Sequence, residues 1–322
     1  MTSDEIRHML NTLRANQALE VEENLDGRAE ALDTLRFLRE GIRCLPVGRE
    51  RRALTAQINA LQRHWQRLDQ RVLATVRAHL QSGEWRTDEW RADEWRADER
   101  RATEWRATQW RGARLRQELG RYTRYNGQPR QAHYDLDSLD LLVAGLFLSE
   151  PRPQETLART AEMIHLELTP TRALLELIDR VPMGAGDLFY DLGSGLGQVV
   201  ILVHLLTGVR ARGVEIQPAF CEYARRCAAQ FGLTGVEFIN ADARDLDYQE
   251  GTVFYLFTPF IGTVLETVLA RLRYVAVAHP ITLCSLGPCT PILCTQPWLR
   301  SIDHVTDLEH EFKLAIFESI RG

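Results

Sequence analysis

The sequence predicts an α/β fold with a parallel sheet, preceded by a helical amino-terminal region. After about residue 130, apolar runs of strand length alternate with helical segments, which is typical of a parallel sheet covered by helices. A glycine-rich turn joins one of these strands to the following helix. Before residue 130, apolar residues recur at three- and four-residue spacings, and this periodicity predicts helices.

The glycine-rich turn follows Asp191 and contains Gly193, Gly195 and Gly197. A strand that ends in such a turn before a helix presents backbone N–H groups to a nucleotide-like ligand. The spacing does not fit the dinucleotide pattern G-x-G-x-x-G, because its third glycine would fall at Gln198. The pattern is instead acid-x-G-x-G-x-G.

Further acids follow the next two predicted strands. Glu215 ends the second strand, where an acid accepts hydrogen bonds from ribose hydroxyls in Rossmann-like halves. Asp242 and its neighbour Ala243 follow the third strand, 236–240, and a fourth strand is predicted at 252–257. Each acid alone could be a solvated loop carboxylate. Three acids at successive strand ends behind the glycine turn favour a ligand site.

Three segments carry a resemblance to a known family: Asp191 to Val200, Gly213-Val214-Glu215, and Phe238 to Asp242. They resemble the non-SET histone-lysine methyltransferases (the disruptor-of-telomeric-silencing type), and more closely the bacterial relatives of that family. The resemblance covers about residues 165–262. It implies a class I methyltransferase that uses S-adenosylmethionine (SAM), with a Rossmann-like seven-stranded sheet in the order 3-2-1-4-5-7-6. It also implies a helical amino-terminal extension that helps to cover the pocket.

The resemblance and the strand ends together give the cofactor candidates. They are Thr169, Asp191, Gly193, Gly195, Gly197, Gln198, Glu215, Asp242 and Ala243. Thr169 belongs to this set if the loop before it folds over the methionine end of SAM. The alternative for Thr169 is to cap the helix that follows, with Pro170 in its first turn.

The segment after the fourth strand departs from the family pattern. The histone enzymes carry paired asparagines in an Asn-Asn-Phe-Ala-Phe segment, whereas this chain reads Leu256-Phe257-Thr258-Pro259-Phe260. No side-chain amide is left there to orient a substrate amine. Thr258-Pro259-Phe260 resembles the (Asp/Asn)-Pro-Pro-(Tyr/Phe) segment of amino-group methyltransferases. We expect an amine-type acceptor, possibly on a protein, no assigned base, and four acceptor-site candidates: Tyr255, Thr258, Pro259 and Phe260.

Two other functions stay open on the sequence. One is a SAM-binding protein with a degenerate catalytic site, which acts or self-associates through its helical arm. The other is a nucleic-acid methyltransferase that uses the arginine-rich arm. Residues 1–130 carry a net charge of +5 and residues 131–322 a net charge of −10. Because acids are interleaved with the arginines of the arm, nucleic-acid binding is not favoured.

The composition bears on membrane contact and on the cellular compartment. No apolar run reaches the roughly 18–20 residues of a membrane span, and the acidic start, Met1 to Glu5, is unlike a secretory signal. The six cysteines form no C-x-x-C pair, so neither a metal site nor a disulfide framework is expected. We expect a cytoplasmic protein without membrane contact.

The chain divides into a helical extension (1–130) and a methyltransferase domain (131–322). Helices are expected over 4–40 and 49–80, separated at Pro46 and Gly48, and a linker over 120–130. Further predicted helices are 136–148, 154–168, 172–181, 218–231 and 264–272, and further strands are 275–284 and 312–317.

A tandem five-residue repeat of the EWRAD type occupies residues 84–111. At about 100° per residue, its tryptophans would be scattered around a helix and could not form one core face. The repeat therefore predicts an exposed helix or spacer. The alternative is a Trp/Arg stacking platform for nucleic acid, which the dense acids disfavour.

Overall fold

The computed structural model describes residues 1–82, 112–121, 137–148, 150–303 and 313–320. Within them, seven strands form one sheet in the order β3-β2-β1-β4-β5-β7-β6. The strands are β1 (Leu188–Leu192), β2 (Arg210–Glu215), β3 (Val236–Asn240), β4 (Val253–Phe257), β5 (Thr282–Leu286), β6 (Leu299–Ser301) and β7 (Ala315–Ser319). The observed order confirms the predicted α/β fold and its strand sequence.

The parallel part of the sheet positions the site. Strands β1 to β5 pair in parallel, whereas β7 runs antiparallel to both β5 and β6. The strand order reverses between β1 and β4, and ligands of open α/β sheets bind beyond the carboxyl ends of strands at such a point. The loops after β1, β2 and β4 therefore meet in one crevice.

Helices cover the sheet and form the amino-terminal region. They are α1 (Ser3–Ala15), α2 (Leu25–Arg43), α3 (Arg49–Ser82), α4 (112–121), α5 (Ser138–Phe147), α6 (Thr171–Arg180), α7 (Gln198–Thr207), α8 (Pro218–Gln230), α9 (Gly262–Ala278) and α10 (Thr290–Cys294). None of the helices in the described ranges combines the length and apolar character needed to cross a bilayer.

Helices α1, α2 and α3 pack around a core of their own that includes Leu10, Leu38 and Trp65. Arg28 of α2 is fully buried, and its Nε donates to the carboxylate of Asp69 on α3 (2.5 Å). Burying a guanidinium is tolerated because a carboxylate and backbone carbonyls satisfy it. The predicted helical arm is therefore present, with its first stretch divided into α1 and α2.

The arm is packed directly against the sheet domain. Val72 and Val76 of α3 and Leu115 of α4 belong to the same apolar core as helices α5 to α8. Arg77 Nε donates to the carbonyl of Leu146 (3.3 Å), and Gln81 Nε2 donates to that of Gln230 (3.2 Å). In the described residues, the extension thus packs against helices that cover the sheet, including α5 and α8.

One predicted element is wrong, and the predicted strand 275–284 begins too early, since its strand, β5, starts at Thr282. Residues 154–168 form no helix, because their backbone groups bond to other segments, as described below. Residues 275–278 belong to α9 and not to a strand. Val275 is buried while Val277 is 83% exposed, so the helical burial period overrides the strand preference of valine.

Some predictions fall on residues that the structure does not describe. The tandem repeat at 84–111 lies outside the described residues, as does the domain boundary at 130. The predicted linker begins inside α4, which continues to residue 121, and the rest of it is also outside.

Candidate functional site

The turn after β1 runs through three glycines with left-handed backbone. The φ angles of Gly193, Gly195 and Gly197 are 86°, 51° and 83°, values that favour glycine over any residue with a Cβ. The N–H groups of Gly193 and Ser194 both donate to the carbonyl of Val214 (2.8 and 2.9 Å). The turn therefore crosses the end of β2 before α7 begins.

The three glycines have different neighbours. A Cβ on Gly193 would lie 2.1 Å from Cβ of Pro259, and one on Gly195 would lie 2.4 Å from Cδ1 of Leu166. Both glycines line the pocket. Gly197 does not, because a Cβ there would meet Ala224 of α8 and the ring of Phe238. Its role in this structure is close packing beneath the turn.

Two buried carboxyl groups lie beside the turn. Glu215 accepts hydrogen bonds from Gly195 N (2.8 Å) and Gln217 N (2.7 Å). Burial raises the pKa of Glu215. Burial, together with the negative charge of Glu215, raises the pKa of Asp191 to about 8. Buried acids that repel each other favour a cationic ligand, and SAM carries a sulfonium and an ammonium group.

Two polar side chains in the pocket wall have unused hydrogen-bonding atoms. Ser194 Oγ and Gln198 Oε1 are buried and have no partner among the described residues. Buried polar atoms are nearly always hydrogen-bonded. Gln198 lines the pocket, so its Oε1 is available to a bound molecule, whereas Ser194 Oγ lies against Gly213 and Phe238. Together with the two buried acids and the glycine-rich turn, Gln198 fits a polar, cationic ligand such as SAM.

Asp242 differs from the other two acids. It precedes the short 3₁₀ segment Ala243–Asp245, and its carboxylate accepts from Arg244 Nε (3.0 Å) and Nη2 (2.7 Å). This hydrogen bonding lowers the pKa of Asp242. Asp242 and Ala243 both line the pocket, but the charge of Asp242 is already paired.

Residues 154–168, here called the strap, pass over the pocket in an irregular, extended course. Ile164 N donates to the carbonyl of Pro259 (3.2 Å), and Ile261 N donates to that of Glu162 (2.9 Å). Met163 and Phe260 form an antiparallel bridge between these bonds. The strap is thereby joined to the loop that follows β4.

The strap supplies eight of the eighteen pocket residues that the sequence reasoning missed. They include the run 163–168, together with Glu155 and Arg159. One signal was available in the sequence. Ile164, Leu166 and Leu168 alternate with His165 and Glu167, a period of two that indicates extended chain.

Thr169 lies in the pocket wall and does not cap α6. Pro170 occupies the N-cap position, without a side-chain hydrogen bond to the helix. The buried Thr169 Oγ1 shares a hydrogen bond with the hydroxyl of Tyr255 (3.2 Å). The capping prediction is therefore wrong. Tyr255 is 1% exposed and does not line the pocket; it lies behind the site, hydrogen-bonded to Thr169 and paired in register with Asp191 of β1.

The end of β4 forms the opposite wall. Thr258, Pro259 and Phe260, three of the acceptor-site candidates, all line the pocket. Thr258 has a φ of 35°, and its hydroxyl donates to the carbonyl of Leu286 (3.0 Å) and accepts from Cys289 N (3.3 Å). Apolar side chains complete this wall: Met163, Phe257 and Val264. In the described ranges, no group of three or more His, Cys, Asp or Glu residues is arranged to hold a metal ion.

Comparisons with known proteins point to methyltransferases. The family model "Histone methylation protein DOT1" matches residues 157–250. Geranyl diphosphate 2-C-methyltransferase of Streptomyces lasalocidi is 28% identical over 123 residues, which are 38% of this chain and 39% of the relative. The match therefore spans about two fifths of the relative's length.

Solved structures give a weaker likeness. An RNA methyltransferase from Salinibacter ruber, in complex with S-adenosylhomocysteine, is 24% identical with a TM-score of 0.36, covering 48% of this chain and 94% of that one. A geranyl diphosphate C-methyltransferase from Streptomyces coelicolor A3(2) is 14% identical with a TM-score of 0.37, covering 48% and 78%. These proteins have different acceptors, and no acceptor follows for this chain.

Proposed function

We propose that this protein is a SAM-dependent methyltransferase. The pair of buried carboxyl groups, Asp191 and Glu215, beside the glycine turn carries the proposal. Bound SAM would supply an electrophilic methyl group on a sulfonium. The family model and the curated relative both describe methyltransferases, and the strand order places the pocket at the sheet's switch point.

The residues of this chain contribute mainly by positioning. Glu215 would accept hydrogen bonds from the ribose hydroxyls, and Asp191 would face the cationic end of the cofactor. The strap would exclude water from the pocket. Methyl transfer is an in-line displacement, so holding donor and acceptor in line supplies much of the acceleration. The unused Oε1 of Gln198 would accept a further hydrogen bond from the cofactor.

We further propose an amine-type acceptor that arrives uncharged, possibly on a protein. Support comes from the wall at the end of β4, where Phe257, Pro259 and Phe260 are apolar and the hydroxyl of Thr258 is already hydrogen-bonded. No described side chain on that wall is a free base. A neutral amine needs none, because its proton can leave after transfer to nitrogen.

The nucleic-acid alternative finds less support in the arm. Several of its arginines are paired with carboxylates: Arg7 with Asp4 and Glu50, Arg28 with Asp69, Arg36 with Asp33, and Arg71 with Glu22. Arginines that are paired with carboxylates attract nucleic-acid phosphates less strongly than a surface of unpaired basic residues does. The SAM-binding protein with a degenerate catalytic site remains the second candidate, because the β4 wall lacks an amide or acid.

Transfer of labelled methyl groups tests the proposal. The protein is incubated with tritiated SAM and cell extract, and the products are divided into protease-treated and nuclease-treated fractions. Protease-sensitive or small-molecule label is expected, and nuclease-sensitive label would instead assign a nucleic-acid acceptor. If calorimetry shows SAM binding but no fraction gains label over a Glu215→Ala control, the enzyme proposal is wrong.

A further inference from the structure

Gln217 makes unusual use of its side chain. It follows β2 two residues after Glu215, is 4% exposed, and stands at the N-cap of α8 without a side-chain hydrogen bond to that helix. Its carboxamide instead reaches the strap. Oε1 accepts from the N–H groups of Thr156 (3.0 Å) and Leu157 (2.9 Å), and Nε2 donates to the carbonyl of Leu157 (2.7 Å).

These three bonds replace partners that regular structure would have supplied. The strap is neither helix nor strand at Thr156 and Leu157, both of which are exposed residues, so no regular hydrogen-bonding pattern holds their backbone in place. A carboxamide offers both a donor and an acceptor, so it can hold an N–H and a C=O of the same backbone segment. Alanine offers neither group, and glutamate at neutral pH offers only acceptors.

Gln217 also contacts Glu215, the residue proposed to bind the cofactor. Its backbone N donates to Oε1 of Glu215 (2.7 Å), whose other oxygen accepts from the glycine turn. A continuous chain of hydrogen bonds therefore runs from the turn through Glu215 and Gln217 to the strap. The far end of the strap is held separately, by the bonds to Pro259 and Ile261.

We propose that Gln217 is a positioning residue that latches the near end of the strap over the cofactor pocket. The inference rests on the proposed function, since the latch slows the release of SAM. Arg159 lies between the two anchor points and Glu155 directly before the first of them; the two side chains pair with each other (3.0 Å) and both line the pocket. Freeing the Gln217 end opens this part of the wall, while the bridge of Met163 with Phe260 keeps the far part in place.

The test compares Gln217→Ala and Gln217→Glu with Gln81→Ala. Gln81 also donates to a distant backbone carbonyl, that of Gln230, and is not among the pocket-lining residues. SAM dissociation is measured by stopped flow, and tryptic cleavage after Arg159 is followed with and without SAM. We expect dissociation at least tenfold faster in Gln217→Ala, an intermediate rate in Gln217→Glu, and no change in Gln81→Ala.

Cleavage separates this inference from the proposed function. Without SAM, Gln217→Ala should be cut after Arg159 several-fold faster than wild type, whether or not the protein binds SAM. Equal cleavage and equal SAM release in wild type and both Gln217 variants would overturn the latch. Wild type that binds no SAM would overturn the proposed function instead. If Gln217→Ala fails to fold, the same comparisons are made with Gln217→Glu.

Discussion

The two walls of the pocket are built on opposite principles. The wall from β1 and β2 buries two carboxyl groups and leaves Ser194 Oγ and Gln198 Oε1 without partners. The wall at the end of β4 is apolar, and its one hydroxyl, on Thr258, is hydrogen-bonded within the protein. The first wall is prepared for a polar, cationic molecule. The second wall offers an apolar surface without a free polar group to recognise a particular molecule. The cofactor is therefore better defined than the acceptor.

The largest expected effect comes from the buried charge of the first wall. Because the pKa of Asp191 is about 8 in the folded protein, against 3.8 for an unperturbed aspartate, the folded state binds more protons between these limits. Stability without SAM is therefore greatest at low pH in this window and falls as pH rises, by about 2–4 kcal/mol from pH 5 to 8. Asp191→Asn should flatten that slope in urea unfolding experiments.

Bound SAM should lower the raised pKa of Asp191. A cation beside Asp191 favours the carboxylate, so binding should release a proton near neutral pH and tighten as pH rises. Calorimetry in buffers of different ionisation enthalpy measures the release. A pH-independent affinity in wild type, or a slope that persists in Asp191→Asn, would contradict the assignment.

The second largest effect is a loss of stability expected where the two walls touch. Gly193→Ala places a Cβ at 2.1 Å from Pro259, an overpacked contact that costs about 1–3 kcal/mol, in addition to backbone strain of about 1 kcal/mol. Gly232→Ala is a matched control, because Gly232 also has positive φ (61°) but nothing within 4 Å of its Cβ. Unfolding free energies should fall for both and clearly more for Gly193→Ala. Equal losses would mean that the contact with Pro259 does not constrain the pocket.

The smallest effect concerns the β4 wall alone. Thr258→Val removes the hydroxyl and leaves the buried N–H of Cys289 without that acceptor, at a cost of about 1–3 kcal/mol in stability. Thr258→Ser keeps the hydroxyl and should stay near wild type. SAM affinity should be unchanged in both variants, since neither alters the first wall. A tenfold loss of SAM affinity in Thr258→Val would show that the walls are not independent.

The first wall was largely predictable because it depends on local chain geometry. The glycines at 193 and 195 are needed where backbone turns left-handed beside another segment, and the acids stand at strand ends. Such features can be recognised in the sequence from the residue types at these positions. The position of Glu215 in the pocket therefore followed from its place at the end of β2.

The extended course of the strap was not predicted, and the sequence left Thr169 with two alternative roles, because tertiary contacts decide both. Residues 154–168 have enough apolar spacing to resemble a helix, yet Gln217 and Pro259, far away in the sequence, supply their backbone partners. Thr169 looks like a helix cap until the hydroxyl of Tyr255 is known to lie beside it. Local preference is outweighed when distant groups satisfy the backbone.

Calorimetric titration of SAM into wild type, Glu215→Ala and Glu237→Ala tests the central claim most directly. Glu237 is an exposed acid on the neighbouring strand β3, paired with Arg212 and not among the pocket-lining residues. Wild type and Glu237→Ala should bind SAM alike, and Glu215→Ala should lose about 1–3 kcal/mol of binding free energy. Absence of saturable binding to wild type, or equal affinity in Glu215→Ala, would contradict a SAM site at this wall.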